Sequence, residues 1–114
     1  MFIIDQSQTY TWPVEVEFPV DGGKTRKETF DGEFKRLSES RIREIQDQIN
    51  NNEIVHDKIL AREILVGWKG VVDNKGEEVP FSQAGLDKLL EVPLVATAIV
   101  RSFYKSHAGA RIKN

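Results

Sequence analysis

An alternating run near the start of the chain constrains the fold more than any other feature. Aromatic and aliphatic residues occupy every second position from Tyr10 to Val20, with polar residues and prolines between them. A period of two is typical of a strand that buries one face. The run ends at Asp21-Gly22-Gly23, residue types that tolerate the positive φ of a short hairpin loop. We therefore predict that Lys24 to Phe34 returns as an antiparallel partner strand.

The register of this hairpin follows if the two residues that flank the loop face each other. Glu17 then lies opposite Lys27, which is a pair of opposite charges. Trp12 lies opposite Gly32, where the missing side chain leaves room for the indole. Each favourable cross-strand pair contributes roughly 0.2–1 kcal/mol, so their agreement supports this register.

Two prolines indicate where the first strand lies in its sheet. Pro13 and Pro19 fall on the same face of that strand. Neither can donate a backbone hydrogen bond to a neighbouring strand, so proline is confined to sheet edges and bulges. We expect the first strand to be an edge strand or a bulged one.

The distal half of the hairpin carries apolar groups on one strand only. Its shared face combines Val16, Phe18 and Val20 with charged residues that include Arg26. A two-stranded ribbon is barely stable alone. Two interpretations are open: these apolar side chains pack on helices of the same chain, or they form an arm that docks on another chain.

Residues 38–68 show helical spacing of their apolar positions. Ser38 or Ser40 can cap a first helix, and Asn50-Asn51-Asn52 predicts its end. A second helix is predicted to end at Gly67 and to pair with the first one. Its apolar face comprises Ile54, Val55, Ile59, Leu60, Ile64 and Leu65.

The remainder of the chain predicts a small second hairpin and two helices. Trp68 to Val72 and Glu77 to Phe81 read as short strands around a turn, Ser82 caps a helix, and Pro93 lies in the first turn of the last helix. The buried side of that helix is predicted to comprise Leu94, Val95, Ala98, Ile99, Phe103 and Tyr104.

The predicted fold class is α+β in one domain, with a hairpin arm (1–37), a mainly helical body (38–107) and a frayed tail (108–114).

Composition narrows the classes of function. The 114 residues include no cysteine, which excludes disulfides, zinc–thiolate sites and a cysteine nucleophile. The net charge of −2 lacks the basic excess of a nucleic-acid-binding protein. Neither His56 nor His107 has a second histidine at metal-ligand spacing, and no Gly-rich phosphate loop is present. We therefore expect no enzyme activity, metal or cofactor.

The short apolar start, Met1 to Ile4, is not a signal peptide core, so we expect a soluble intracellular protein without membrane contact.

One block of sequence resembles a known family. Leu65 to Val71 contains Gly-Trp-x-Gly, a turn follows, and Val79 to Ser82 reads Val-Pro-Phe-Ser. This arrangement, continued by a Leu-rich helix and Pro93, is similar to a block in the tail assembly chaperones of long-tailed bacteriophages. The resemblance implies a non-enzymatic protein that binds the tape measure protein and helps to recruit tail tube subunits. It also implies a location in the host cytoplasm and absence from the finished virion.

A chaperone of this kind needs an apolar strip or groove with a polar rim. The predicted partner-binding residues are Trp12, Val16, Phe18, Val20, Arg26 and Trp68. For Trp68, a core position that joins helix and hairpin is the favoured alternative. Two other functions stay open: a head–tail connector or tail completion protein that remains in the virion, and a small nucleic-acid-binding regulator. Self-association is also possible, since apolar edge strands pair readily.

Overall fold

The fold is α+β, as predicted. The computed structural model describes residues 1–51 and 56–112. In these ranges a three-stranded antiparallel sheet, in the order β1-β2-β3, packs against helices. The elements are β1 (Thr9–Val20), β2 (Lys24–Lys35), α1 (Glu39–Asn50), α2 (Asp57–Ile64), β3 (Leu65–Lys69), α3 (Gln83–Leu90) and α4 (Val95–Ile112).

The first hairpin has the predicted register along its whole length. Its pairs run from Thr9 opposite Lys35 to Val20 opposite Lys24, and they include Glu17 with Lys27. The loop between the strands contains Gly22 and Gly23 at φ values of +79° and +73°. Glycine adopts this left-handed region without the Cβ clash that other residues meet, which is why the loop can be this short.

The prediction of an edge strand is confirmed, because among the residues that the structure describes β1 pairs with β2 alone. In an antiparallel ladder, facing residues alternate between pairs that exchange hydrogen bonds and pairs that do not. Pro13 and Pro19 have no backbone N–H, so they do not belong to the pairs that exchange hydrogen bonds. The backbone N–H of Arg36 donates to the carbonyl of Gln8, which places the even-numbered residues of β1 in the hydrogen-bonded pairs with β2. The backbone groups of the odd-numbered residues, including both prolines, therefore point to the open edge.

The third strand differs from the prediction. Helix α2 ends at Ile64, and β3 begins at Leu65, whereas the sequence pattern placed Leu65 in the helix and the strand start at Trp68. Pairing with β2 decides this boundary. The backbone of Leu65 to Lys69 forms hydrogen bonds with the backbone of Asp31 to Phe34 as an antiparallel strand. Ile54 and Val55, predicted in the same helix, lie outside the described residues.

A continuous core fills the space between the sheet and the helices. Gly32 lies at its centre, opposite Trp12 on one side and Trp68 on the other. Phe34 is fully buried and its ring lies between those of Tyr10 and Phe103. The buried hydrophobic residues are Val14, Val16, Phe34, Ile45, Leu60, Ala61, Ile64, Leu65, Trp68, Leu86, Leu90, Val95, Ala98, Ile99, Val100 and Phe103.

Helices α1 and α3 begin at predicted serine caps. Of the two serines considered for α1, Ser38 is the cap, and its hydroxyl accepts from the backbone N–H of Arg41 at 3.1 Å. The Ser82 hydroxyl accepts from the N–H of Gly85 at 2.9 Å and starts α3. Helix α2 packs mainly against α4, while a two-pronged ion pair between Arg41 and Glu63 links α1 to α2.

The predicted second hairpin is reduced to a single β-bridge. Val72 pairs with Glu78 around the turn Asp73–Gly76. The Asp73 side chain accepts from the backbone N–H groups of Lys75 and Glu77, which stabilises the turn.

The last helix begins later and continues further than expected. Leu94 has a φ of +76°, so it cannot be part of a right-handed helix, and Pro93 lies before α4 rather than in its first turn. Leu94 and Tyr104, expected in the core, are 52% and 37% exposed. The segment predicted as a frayed tail is helical as far as Ile112.

Candidate functional site

Two of the predicted partner-binding residues lie in the core. Val16 is 4% exposed and Trp68 is 9% exposed. The Trp68 indole N–H donates to the carbonyl of Val79 at 2.7 Å, and its ring meets Phe81 edge to face at 4.8 Å. Trp68 thus fixes the 71–79 segment to β3, which agrees with the alternative that placed it in the core.

The other four predicted residues retain accessible surface. Trp12 and Phe18 are half-buried and pack against the edge of the core. Val20 is 39% exposed at the hairpin tip. Arg26, opposite Phe18, forms an exposed ion pair with Glu28 at 2.7 Å. Of the predicted set, Val16 and Phe18 line one groove of the structure and Trp12 lines another, while Val20 and Arg26 line neither of them.

The first groove, here called the apolar groove, lies beneath the distal half of the hairpin. Its volume is about 220 Å³. Phe18 reaches over it from β1, and the hydrophobic residues of the 70–72 segment and of the α3–α4 connection form the opposite wall. Its lining comprises Val16, Phe18, Glu28, Thr29, Phe30, Gly70, Val71, Val72, Leu89, Val92 and Val95.

The rim of the apolar groove leaves hydrophobic side chains in contact with solvent. Val72 is 53% exposed and Val92 is 39% exposed, although both line the groove. Glu28 and Thr29 supply polar groups on the β2 side. Phe18 is packed against the core and also borders the groove, which agrees with the first interpretation of the distal hairpin, packing within the same chain. Docking of this region on another chain stays a prediction.

The second groove, here called the edge groove, runs along the open edge of β1 and has a volume of about 480 Å³. Residues from both faces of β1 line it, which places it at the strand edge. Helix α4 and the residue before it form the other wall. Its lining comprises Trp12, Pro13, Glu15, Glu17, Leu94, Thr97, Ala98, Arg101, Ser102 and Lys105.

A hydrogen bond holds the two walls of the edge groove together at one end. The hydroxyl groups of Tyr10 on β1 and Ser106 on α4 are 2.7 Å apart. Burial raises the pKa of the Tyr10 hydroxyl above its usual value of 10.0, against the opposing effects of Ser106 and Arg36. The hydrogen bond therefore joins β1 to α4 at this end of the groove.

Several groove residues were not identified from sequence. Leu94 and Ala98 were assigned to the helix core, and Val71, Val72 and Val92 were not assigned a binding role. Helical periodicity could not separate Leu94 from its buried neighbours, because its position depends on the left-handed backbone before α4. An isolated valine in a turn-rich segment such as Val72 also carries no pattern of its own.

Some kinds of site are not present in the described part of the chain. Residues 1–51 and 56–112 contain no group of three or more His, Asp or Glu side chains that could hold a metal ion. Within the same ranges, no helix has the length and apolar character needed to cross a bilayer. His56 lies at the N-cap position of α2, without a cap hydrogen bond from its side chain, rather than within a helix as expected. The ring of His107 packs on that of Phe103 with 4.5 Å between the ring centres.

The chain was compared with protein families, curated proteins and solved structures. The profile of the YdaY prophage protein family matches residues 26–111, from β2 through α4. Neither the curated proteins nor the solved structures gave a match. The matched range covers most of the chain and leaves out β1. The chain therefore belongs to the YdaY prophage protein family.

Proposed function

We propose that this prophage protein is a tail assembly chaperone, which binds the tape measure protein during tail morphogenesis and also contacts tail tube subunits. It acts in the host cytoplasm, has no enzymatic activity, and is absent from the mature virion. Two observations support the proposal: membership of a prophage protein family, and the resemblance of residues 65–82 to the phage chaperone block.

The observation that carries the proposal is the apolar groove. An accessible apolar surface with a polar rim is typical of a groove that binds a ligand or a partner protein. Here Val72 and Val92 remain accessible beside the half-buried Phe18, with the charged Arg26 and Glu28 at the margin. An apolar floor with a polar rim is the arrangement that binds one face of an amphipathic helix.

The size of the groove suits the side chains of such a helix. A cavity of about 150 Å³ lined by aliphatic and aromatic residues holds a benzene ring. The apolar groove has about 220 Å³, which is enough for a leucine or phenylalanine side chain of the partner. Neighbouring apolar positions of the helix would contact Val72 and Val92 on the rim.

Co-expression with the tape measure protein from the same prophage tests the proposal. The chaperone should keep that protein soluble and copurify with it. Val72→Ser and Val92→Ser should weaken the interaction, because they remove accessible apolar surface without opening the core. Ile59→Ser is the matched control, since Ile59 is 62% exposed on α2 and does not line the groove. A loss of binding that is equal in the control variant would contradict the proposed site.

Mass spectrometry of purified virions separates the chaperone from a structural protein of the particle. A chaperone should be lacking from virions and present in lysates of induced cells. Stoichiometric amounts in the virion would instead establish a connector or completion protein. Steeply salt-dependent binding to DNA or RNA would identify a nucleic-acid-binding regulator.

A further inference from the structure

We propose that the leading segment of the chain, Met1 to Ile4, docks in the apolar groove of a second copy of the protein. Self-association then joins two different surfaces, the leading segment of one copy and the groove of the other. The proposal rests on the same groove that the proposed function assigns to the tape measure protein. It goes beyond that function, because the contact forms between copies of this chain alone.

The leading segment is an apolar surface that the single chain leaves in contact with solvent. Phe2, Ile3 and Ile4 are 83%, 67% and 84% exposed, and Met1 is fully exposed. Residues 5–8, which are all polar, separate this segment from the start of β1 at Thr9. Consecutive exposed apolar side chains are unfavourable in water unless a partner covers them. Their burial requires an apolar surface that the segment can reach.

The apolar groove suits an uncharged segment better than the edge groove does. The leading segment has no charged side chain. In the lining of the apolar groove the charged residue is Glu28, and its carboxylate already pairs with Arg26 at 2.7 Å. An apolar segment on charged groups would remove them from water without giving them a partner, which is costly. The edge groove would impose this cost, since its lining includes four charged side chains, those of Glu15, Glu17, Arg101 and Lys105.

The apolar groove has room for one aromatic side chain of the segment. Its volume is about 220 Å³, whereas a cavity of about 150 Å³ is enough for a benzene ring. Phe2 has the largest side chain of the four and would enter beside Phe18 and Phe30. The neighbouring apolar side chains of the segment would cover Val72 and Val92 on the rim, which are 53% and 39% exposed.

Within one copy the segment and the groove lie far apart. Thr9 is at the end of the hairpin away from the loop, and the groove begins at Val16, near the loop. Seven residues of strand separate Thr9 from Val16, which corresponds to about 23 Å. Seven residues also separate Thr9 from Phe2, and they span at most about 25 Å when fully extended. The segment would therefore have to run straight along β1 to reach the groove of its own copy.

The structure does not allow this straight path. The backbone bends at Ile4 and Asp5, and the side-chain amide of Gln6 donates to the carbonyl of Ile3. Helix α4 packs on the face of β1 that leads to the groove. On that face the Tyr10 hydroxyl lies 2.7 Å from that of Ser106. A path around α4 exceeds the available length, so the segment docks on another copy.

Two copies can satisfy each other by a reciprocal exchange. The leading segment of each copy then enters the groove of its partner, which gives a closed pair with two equivalent contacts. Each contact involves only four residues of the segment and buries little area. We therefore expect weak, concentration-dependent association.

Sedimentation velocity of the chain alone, over a range of concentrations, tests the proposal. The parent should pass from monomer to larger species as its concentration rises. Phe2→Ser should shift this transition to a concentration at least about tenfold higher, since it removes the side chain that fills the groove. A double variant with Val72→Ser and Val92→Ser should do the same from the other side. Ile59→Ser is the matched control, because Ile59 is 62% exposed and outside the groove, and it should associate like the parent.

A mixture of the two kinds of variant identifies the contact. The Phe2→Ser chain keeps an intact groove, and the valine double variant keeps an intact segment. An equimolar mixture should therefore form pairs at concentrations at which each variant alone is monomeric. A parent that stays monomeric at every concentration, an equal effect of Ile59→Ser, or a mixture that stays monomeric would each overturn the proposal. The last result would indicate contacts between like surfaces. Circular dichroism checks that every variant is folded.

Copurification with the tape measure protein is measured separately. Phe2→Ser should retain that protein at least as well as the parent does, because the variant leaves the groove free. Retention together with a monomeric parent would refute the contact between copies and leave the proposed function standing. Self-association that follows the predicted pattern without binding of the tape measure protein would have the opposite meaning.

Discussion

Gly32→Ala tests whether the centre of the sheet depends on a missing side chain. A Cβ at this position would lie 3.0 Å from Phe34 Cε2, 3.1 Å from Leu65 Cδ1 and 3.2 Å from Val14 Cγ2. Each distance is shorter than ordinary van der Waals contact, so three buried neighbours would have to move by a few tenths of an ångström. Overpacking of a core costs about 1–3 kcal/mol.

Backbone entropy opposes part of this loss. Alanine is favoured over glycine within a strand by roughly 0.5–1 kcal/mol. The net expectation is a decrease of about 0.5–2 kcal/mol in the free energy of unfolding. For a chain of this length, the decrease corresponds to a fall in Tm of roughly 2–8 °C. Urea unfolding followed by tryptophan fluorescence measures it directly, because Trp12 and Trp68 face Gly32.

Gly32→Val separates sterics from strand propensity. Valine has a higher β propensity than alanine and a larger side chain. If contact with Phe34, Leu65 and Val14 dominates, the valine variant must be less stable than the alanine variant. If Gly32→Ala is as stable as the parent, or if valine is the more stable of the two, the packing argument is wrong.

Three further predictions concern stability. Hydrogen bonds from Arg41 lower the pKa of Glu63 below its ordinary value of 4.5; this stabilisation is present above that pH and lost as the pH falls through the folded-state pKa. Urea midpoints measured against pH should therefore fall more in the parent than in Glu63→Gln. Trp68→Phe removes the donor to the Val79 carbonyl and should lower stability by about 1–2 kcal/mol in urea unfolding; an unchanged midpoint would show that the bond contributes nothing. The Phe18→Ser variant should remain folded by circular dichroism. Its free energy of unfolding should fall by about 1–2 kcal/mol, because the side chain is half-buried, and its copurification with the tape measure protein should decrease. A loss of stability as large as that for a fully buried phenylalanine would place Phe18 in the core.

Local signals predicted much of the hairpin and the helix starts. The register followed from the loop glycines and from the pairs Glu17 with Lys27 and Trp12 with Gly32, because a loop of fixed length sets all facing positions at once. The caps at Ser38 and Ser82 were also readable, since a hydroxyl at a helix start satisfies a free N–H of the first turn.

The candidate binding surface was less predictable. The sequence identified Phe18 and Val20 because apolar residues stood opposite charged ones on a single ribbon. It could not place Val92 or Leu94 beside the hairpin, since the grooves that they line together with β1 residues join positions distant in sequence. Val16 and Trp68 were included among the binding residues because apolar character alone does not distinguish buried from accessible positions.

The sequence by itself determined that the first half of the chain includes a proline-containing edge hairpin and that α1 and α3 start at serine caps. These features depend on interactions between residues close together along the chain or paired across one tight loop. Only the tertiary structure decided that Leu65 leaves α2 for β3, because the backbone groups of β2 were available for pairing. It also decided that α4 begins after a left-handed Leu94, next to the open edge of β1. The helix and strand propensities of a leucine differ by less than the free energy of burying it. Packing of the buried Leu65 therefore sets the boundary between α2 and β3.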